Sequence, residues 1–257
     1  MNYQLLIELH KSNPRQGPGG DAQTELALRL SGLLESKRGA LEIADIGCGT
    51  GASSLKLAEN LNARVIGVDL FSEFLDVLNQ KARERGLIEK IETLQCSMQE
   101  LPFKEHSLDA LWAEGSIYNM GFARGVEHFK RFLKPGGVFA VSEITWLTST
   151  RPEKIEAHWS TEYPEIALAS EKISTLEQNG FELLGYFPLP QQCWIENYYN
   201  PIEARLEEFL KINKSAEAEA IVAAERAEID LYTRFHKFYS YGFYIARKLD
   251  ERIKRVS

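Results

Sequence analysis

The stretch Ile43-Ala-Asp-Ile-Gly-Cys-Gly-Thr-Gly51 constrains this chain more than any other. An apolar run ends in an acid, and three glycines follow at alternate positions. Glycine has no Cβ, so it lets a backbone turn sharply off a strand and lets a ligand lie close against it. The chain continues as Ala52-Ser-Ser-Leu-Lys-Leu-Ala58, which reads as a helix. Strand, glycine turn and helix N-terminus together form a corner suited to a nucleotide. Two ligand classes use such corners, and the dinucleotide pattern G-x-G-x-x-G/A is also met by Gly47 to Ala52, so the glycines alone decide little. Asp45 decides more. At the strand end its carboxylate accepts hydrogen bonds, either from a ligand's polar tail or from the loop it orients.

A second acid ends the short apolar run Arg64-Val-Ile-Gly-Val-Asp69, about 20 residues beyond the glycines, as ribose recognition requires. A carboxylate there can take both ribose hydroxyls. An N-cap for a helix starting near Phe71 is a compatible second use. The third element, Ile91 to Phe103, runs from a strand through Cys96-Ser-Met98 into Leu101-Pro-Phe103. A fourth strand ends at Trp112, and Phe132-Leu-Lys-Pro-Gly-Gly137 precedes a fifth, Val138 to Glu143.

Asp45, Gly47, Gly49 and Gly51 match acid-x-Gly-x-Gly-x-Gly. This resembles the first motif of class I S-adenosylmethionine-dependent methyltransferases, and the elements through residue 145 follow in that family's order. Within the family, the chain resembles the small-molecule group that includes the quinone-biosynthesis C-methyltransferases. An acid commonly stands where this chain has Ser97. The hydroxyl of Ser97 and the Met98 N–H are the expected adenine contacts. The resemblance implies S-adenosyl-L-methionine as cofactor, S-adenosyl-L-homocysteine as product, and a binding set of Gln16, Asp45, Gly47, Cys48, Gly49, Gly51, Asp69, Leu70, Ser97, Met98 and Glu114.

Alternation of strands with helices means a mostly parallel sheet covered on both faces. The expected fold class is α/β, Rossmann-like, with seven strands, the last antiparallel, plus a helical cap. Tyr3 to Lys11 reads as a helix. Asp21 is the expected cap of a second helix, Ala22 to Glu35, with Leu26, Leu30 and Leu33/Leu34 on one face. Between them, Asn13-Pro-Arg-Gln-Gly-Pro-Gly-Gly20 is expected to fold over the cofactor, with Arg15 or Gln16 toward the methionine end. A helix over Tyr163 to Asn179, ended by Gly180, leads to a sixth strand, Phe181 to Phe187. Tyr241 to Lys248 reads as the seventh. The expected organisation is residues 1–40 as N-terminal helices and loop, 41–187 with 239–257 as the core, and 188–238 as an insertion. With helices near 201–212 and 215–237, that insertion covers the substrate or serves a homodimer.

A net charge of −7 argues against a sequence-independent hold on nucleic acid. No apolar run reaches membrane-spanning length, and no secretory leader is evident, so a cytoplasmic protein is expected. Cys48, Cys96 and Cys193 are odd in number and lack metal-site spacing, so no metal is expected, and Cys48 reads as a packing residue.

Methyl transfer from a sulfonium is an in-line displacement, and a base is needed only where the acceptor must lose a proton. The candidates are Glu114, Tyr118, Glu143 and His158, with Trp146 and Tyr163 beside them. Glu114 is expected either as base or as an acceptor of N–H groups from the turn Gly115 to Ile117. Trp112, Trp146, Trp159 and Trp194 are candidate pocket walls. The function expected is methyl transfer to a small-molecule acceptor. The alternatives are an NAD(P)-dependent oxidoreductase and a non-catalytic cofactor-binding protein of the same fold.

Overall fold

A computed structural model describes residues 3–37 and 39–250; the outermost parts of the expected segments, 1–2 and 251–257, lie outside the described residues. The first four strands are β1 (Leu41–Ile46), β2 (Ala63–Asp69), β3 (Ile91–Gln95) and β4 (Leu108–Glu114); all but the half-exposed edge strand β3 are mainly buried and apolar. The helices α3 (Ala52–Asn60) and α4 (Ser72–Glu84) cross between them. Then come α5 (Phe122–Lys130), β5 (Leu133–Trp146), α6 (Glu153–Glu162), the two-residue β6 (Ala167–Leu168), α7 (Ala169–Gln178) and β7 (Phe181–Pro188). The sheet order is β3-β2-β1-β4-β5-β8-β7, where β8 (Tyr239–Lys248) runs antiparallel to both β5 and β7. β6 pairs with the end of β5.

Alternate residues of the central strands feed two separate cores. Along β4, Ala110 and Trp112 join the core on one face, while Leu111 and Ala113 join the other. Both faces are therefore covered, as a parallel sheet demands.

The N-terminal helices are α1 (Tyr3–His10) and α2 (Asp21–Ser31). Three boundaries differ from the sequence reading. First, α2 stops at Ser31 because Gly32 turns left-handed, and its buried face is Thr24, Ala27, Leu28 and Ser31 rather than the Leu26/Leu30 face. Asp21 is its first residue and not its cap, since its carboxylate is drawn to Arg15 and Lys56. Second, Tyr163 ends one helix rather than starting another; β6 intervenes, and α7 begins at Ala169. Third, Pro135-Gly-Gly137 lies within β5, where it forces a register shift opposite Leu108 and Ala110. Gly180 ends α7 in the left-handed conformation, as expected.

Between β7 and β8 lie α8 (Gln191–Trp194), a π turn over Ile195–Tyr199, α9 (Asn200–Ile212) and α10 (Ala216–Phe235). Their apolar residues Ile202, Leu206, Phe209 and Val222 belong to the same core cluster as one sheet face. No helix among the described residues is long and apolar enough to cross a membrane.

Candidate functional site

The first three glycines of the corner all adopt left-handed φ values: 69° at Gly47, 53° at Gly49 and 85° at Gly51. At Gly51 a Cβ would run into Leu78 and at Gly49 into the end of the Gln16 side chain, and the left-handed backbone strains any larger residue at both. The turn is tied to its neighbours by the Gly47 and Cys48 N–H groups, which donate to the Val68 carbonyl. Cys48 is buried against the loop, and burial pushes its thiol well up, which fits a packing role.

Asp45 is fully buried. Its Oδ2 accepts the hydroxyls of Ser53 and Ser54, each at 2.6 Å, while its Oδ1 has no partner. It therefore pins the start of α3 behind the loop. Of the two uses expected for it, this geometry fits loop orientation. Burial raises its pKa to about 7 despite the two serine hydrogen bonds.

Asp69 accepts the Gly49 N–H at 2.9 Å and the Phe71 N–H at 3.0 Å, so it links the glycine loop to the start of α4. It is only partly buried, and a carboxylate has about four lone-pair sites, so acceptor capacity is left toward the open side. Desolvation raises its pKa against those backbone donors. Next to it Leu70 is 56% exposed, an apolar shelf at the strand end. The half-buried Ser97 and Met98 follow β3, and the Ser97 Oγ accepts the Gln99 N–H at 3.2 Å. Partial exposure at the adjacent ends of β2 and β3, with an acid, a hydroxyl and an apolar shelf, suits the donor and acceptor pattern of an adenosine.

The N-terminal loop closes over the same corner. Gln16 Oε1 accepts the Thr50 N–H at 2.8 Å and its hydroxyl at 3.0 Å, while its Nε2 donates to the His10 and Asn13 carbonyls. Arg15 turns inward instead. It donates to Glu114 Oε2 at 3.0 Å and to Asp21 at 3.1 Å. Two of its donor nitrogens are thus committed to carboxylates of the chain, which does not suit the expected reach toward a ligand carboxylate. The far side of the loop is tied to the helices after β7: Asn197 donates to the Gly19 carbonyl at 2.7 Å, and Arg205 to the Asn13 side chain at 3.0 Å.

Glu114 departs from both expected uses. Its Oε1 accepts Thr24 Oγ and Trp112 Nε1, each at 2.8 Å, and its Oε2 holds Arg15. Both oxygens of this nearly buried carboxylate are taken by partners within the chain. The turn N–H of Gly115 goes to Ser142 rather than to Glu114.

Beside the corner lies a cavity of about 680 Å³, within the range of small-ligand sites. Gln16, Gly17 and Pro18 line it on one side and Gly115 and Tyr118 on another; α6, the π turn, α10 and the start of β8 complete it. Gln16 thus touches the glycine loop and the cavity at once. Tyr118, His158 and Tyr163 line the cavity, and Tyr118 and Tyr163 meet edge to face at 6.4 Å. Glu143 does not line it. It is buried behind Ile144, whose N–H donates to its Oε1, and burial raises its pKa while the buried Lys172 only partly offsets this. Trp159 and Trp194 are walls, as expected. Trp112 and Trp146 are not: one is wholly core, and the other stacks on Arg151 at 4.1 Å.

The sequence reading missed Tyr198, Tyr199, Tyr239 and Tyr241, together with Glu228 on α10, all of which line the cavity. The run Trp194-Ile-Glu-Asn-Tyr-Tyr199 was the available signal, an aromatic cluster inside a non-standard insertion.

Residues 43–137 match a family model described as a methyltransferase domain. The chain is 28% identical over 138 residues to 27-O-demethylrifamycin SV methyltransferase of Amycolatopsis mediterranei, an overlap covering 53% of this chain and 50% of that protein. It is 30% identical over 131 residues to the ubiquinone/menaquinone biosynthesis C-methyltransferase UbiE of Brucella canis, covering 50% and 49% respectively. The matched part is thus about half the length of each of these curated relatives. An S-adenosylmethionine-dependent methyltransferase from Geobacter sulfurreducens, solved with S-adenosyl-L-homocysteine, superposes with a TM-score of 0.80 at 15% identity, over 95% of this chain and 97% of that one. The fold is that of class I methyltransferases, and the resemblance read from the glycine motif is borne out. The order β3-β2-β1-β4-β5-β8-β7 with one antiparallel strand also differs from the all-parallel 3-2-1-4-5-6 sheet of dinucleotide oxidoreductases.

Proposed function

From the class I methyltransferase domain that this chain carries, we propose that the protein transfers a methyl group from S-adenosyl-L-methionine to a small molecule held in the cavity. The observation that carries this reading is Gln16, which binds the glycine loop through Thr50 and lines the cavity as well. A cofactor on the loop and an acceptor in the cavity would be neighbours.

Asp69 would hold the ribose hydroxyls; Leu70, Ser97 and Met98 would border the adenine; Gly47, Gly49, Gly51 and Gln16 would frame the methionine end. When bound, the cofactor supplies a methyl already activated on a positive sulfur. An acceptor electron pair lying in line with that methyl is what the cavity would have to present. The chain's part is then alignment and exclusion of water. The loop 13–20, fastened on one side to the glycine loop and on the other to Asn197 and Arg205, does both.

The helices between β7 and β8 are, in this reading, the cap over the acceptor. Asp45 and Glu114 act behind the site as positioning groups. Tyr118 and His158 face the acceptor, with Tyr118 beside Gly115 at the end of β4. Glu143 stands one layer behind. We place the protein in the cytoplasm, with the outer surface of 188–238 as the candidate homodimer contact and no nucleic acid among its partners.

Calorimetry with S-adenosyl-L-homocysteine and with NADH tests this directly. Selective binding of the former, and transfer of tritiated methyl into a small-molecule fraction of extract, is the expected result. Tighter binding of NADH would overturn it.

A further inference from the structure

We infer that the cavity takes an acceptor carrying a positive charge on an apolar body, with the Glu228 carboxylate as its anchor and the surrounding aromatic rings as its box. This rests on the reading of the cavity as the acceptor side of a methyltransferase. Ala224, Ala227, Glu228 and Leu231 of α10 all face the cavity, at the three- and four-residue spacing of one helix face. The alanines are too short to fill the space beside the acid. Glu228 is exposed and lines the cavity.

Around it stand Trp194, Tyr198, Tyr199, Tyr239 and Tyr241, with Tyr118 opposite. Several are packed on one another: Trp194 lies 5.0 Å from Tyr241 and 6.0 Å from Tyr239, and Tyr198 lies 5.2 Å from Tyr199. Their ring faces carry negative potential, which attracts a cation beyond what a neutral ligand of the same shape gains from the apolar contact.

The carboxylate is under-compensated. Its hydrogen-bond donor is the Tyr199 hydroxyl at 3.0 Å, and among the described residues no Lys or Arg stands within ion-pair distance of it. Arg234, a cation of the cavity wall, is held by Asp230 at 2.9 Å. Lys154 stands on α6 across the cavity. One turn back stands the like-charged Glu225, whose carboxylate is hydrogen-bonded to His10 at 3.1 Å. Burial raises the Glu228 pKa, with Glu225 adding to it, as expected of an acid that lacks a counterion. A neutral apolar acceptor would fill the rings and leave that charge stranded. An anion beside α10 would meet Glu228, while Lys154 and Glu162 stand on α6 across the cavity. A cation completes the site.

The test uses choline and its neutral isostere 3,3-dimethylbutan-1-ol as probes, titrated by tryptophan fluorescence against the full chain saturated with S-adenosyl-L-homocysteine. The cation should bind about tenfold or more tightly than the isostere. Glu228→Gln should reduce that preference to within about threefold, and Glu228→Asp, which keeps the charge, should retain part of it. Equal affinities in the wild type, or an unchanged preference in a folded Glu228→Gln, would overturn the inference. The wild-type comparison does not depend on any variant folding. Cofactor binding is read on the same sample: absent binding of S-adenosyl-L-homocysteine with the cation preference intact would sink the methyltransferase reading alone, and the converse would sink the cation site alone.

Discussion

Arg15 and Glu114, 99 residues apart in the chain, meet as a nearly buried ion pair at 3.0 Å beneath the N-terminal loop. The pair joins the loop to the end of β4. Asp21 and Thr24 take further Arg15 donors, and Thr24 and Trp112 donate to Glu114. Such a pair adds little net stability over a well-packed apolar replacement, but losing one member strands the other charge.

Arg15→Met should therefore destabilise the fold by about 3–5 kcal/mol, read by urea denaturation. Arg15→Met with Glu114→Gln should recover part of that loss, because no lone charge is then buried. Strict additivity of the two single effects would show that the pair does not act as a unit.

Asp69→Ala removes an acceptor that holds the Gly49 and Phe71 N–H groups and, in our proposal, the ribose. Affinity for S-adenosyl-L-homocysteine should drop at least about tenfold, since a hydrogen bond to a charged group contributes about 1.5–3 kcal/mol. Unchanged calorimetric affinity would exclude Asp69 from the cofactor site.

Gln16 fastens the loop 13–20 to Thr50 through two accepted hydrogen bonds. Hydrogen exchange across that loop should slow when S-adenosyl-L-homocysteine is added, and Gln16→Ala should abolish the slowing. Identical exchange with and without ligand would count against the loop as a cover for the cofactor.

Asp45 predicts a pH dependence of stability. Its pKa rises from an ordinary 3.8 to about 7 in the fold, so the native state holds a proton that the unfolded state releases. Its contribution is full below pH 3.8 and is lost as pH rises to about 7. At 1.36 kcal/mol per pH unit the loss is about 4 kcal/mol. Asp45→Asn keeps an acceptor for Ser53 and Ser54 without the charge. Its melting temperature relative to wild type should improve between pH 5 and pH 8. A constant difference across that range would mean that Asp45 does not titrate there.

The sequence by itself determined the glycine corner, the acids at 45 and 69, the order of the main strands and the antiparallel strand near the C-terminus. These features are local. A left-handed turn demands glycine within a few residues, and a buried strand demands an unbroken apolar run. Only the tertiary structure decided what Glu114 and Asp45 touch, because their partners, Arg15 and Thr24 for one and Ser53 and Ser54 for the other, are chosen by how loop, helix and strand come together. It also decided the cavity. In sequence, Ala216 to Phe235 is an alanine-rich helix studded with acids, indistinguishable from a solvated one. Packing turns one of its faces inward, toward tyrosines on other elements, such as Tyr199, 29 residues from Glu228. A charge that would be unremarkable on a bare helix surface thereby becomes a feature of the site, because it lines a cavity walled by aromatic rings.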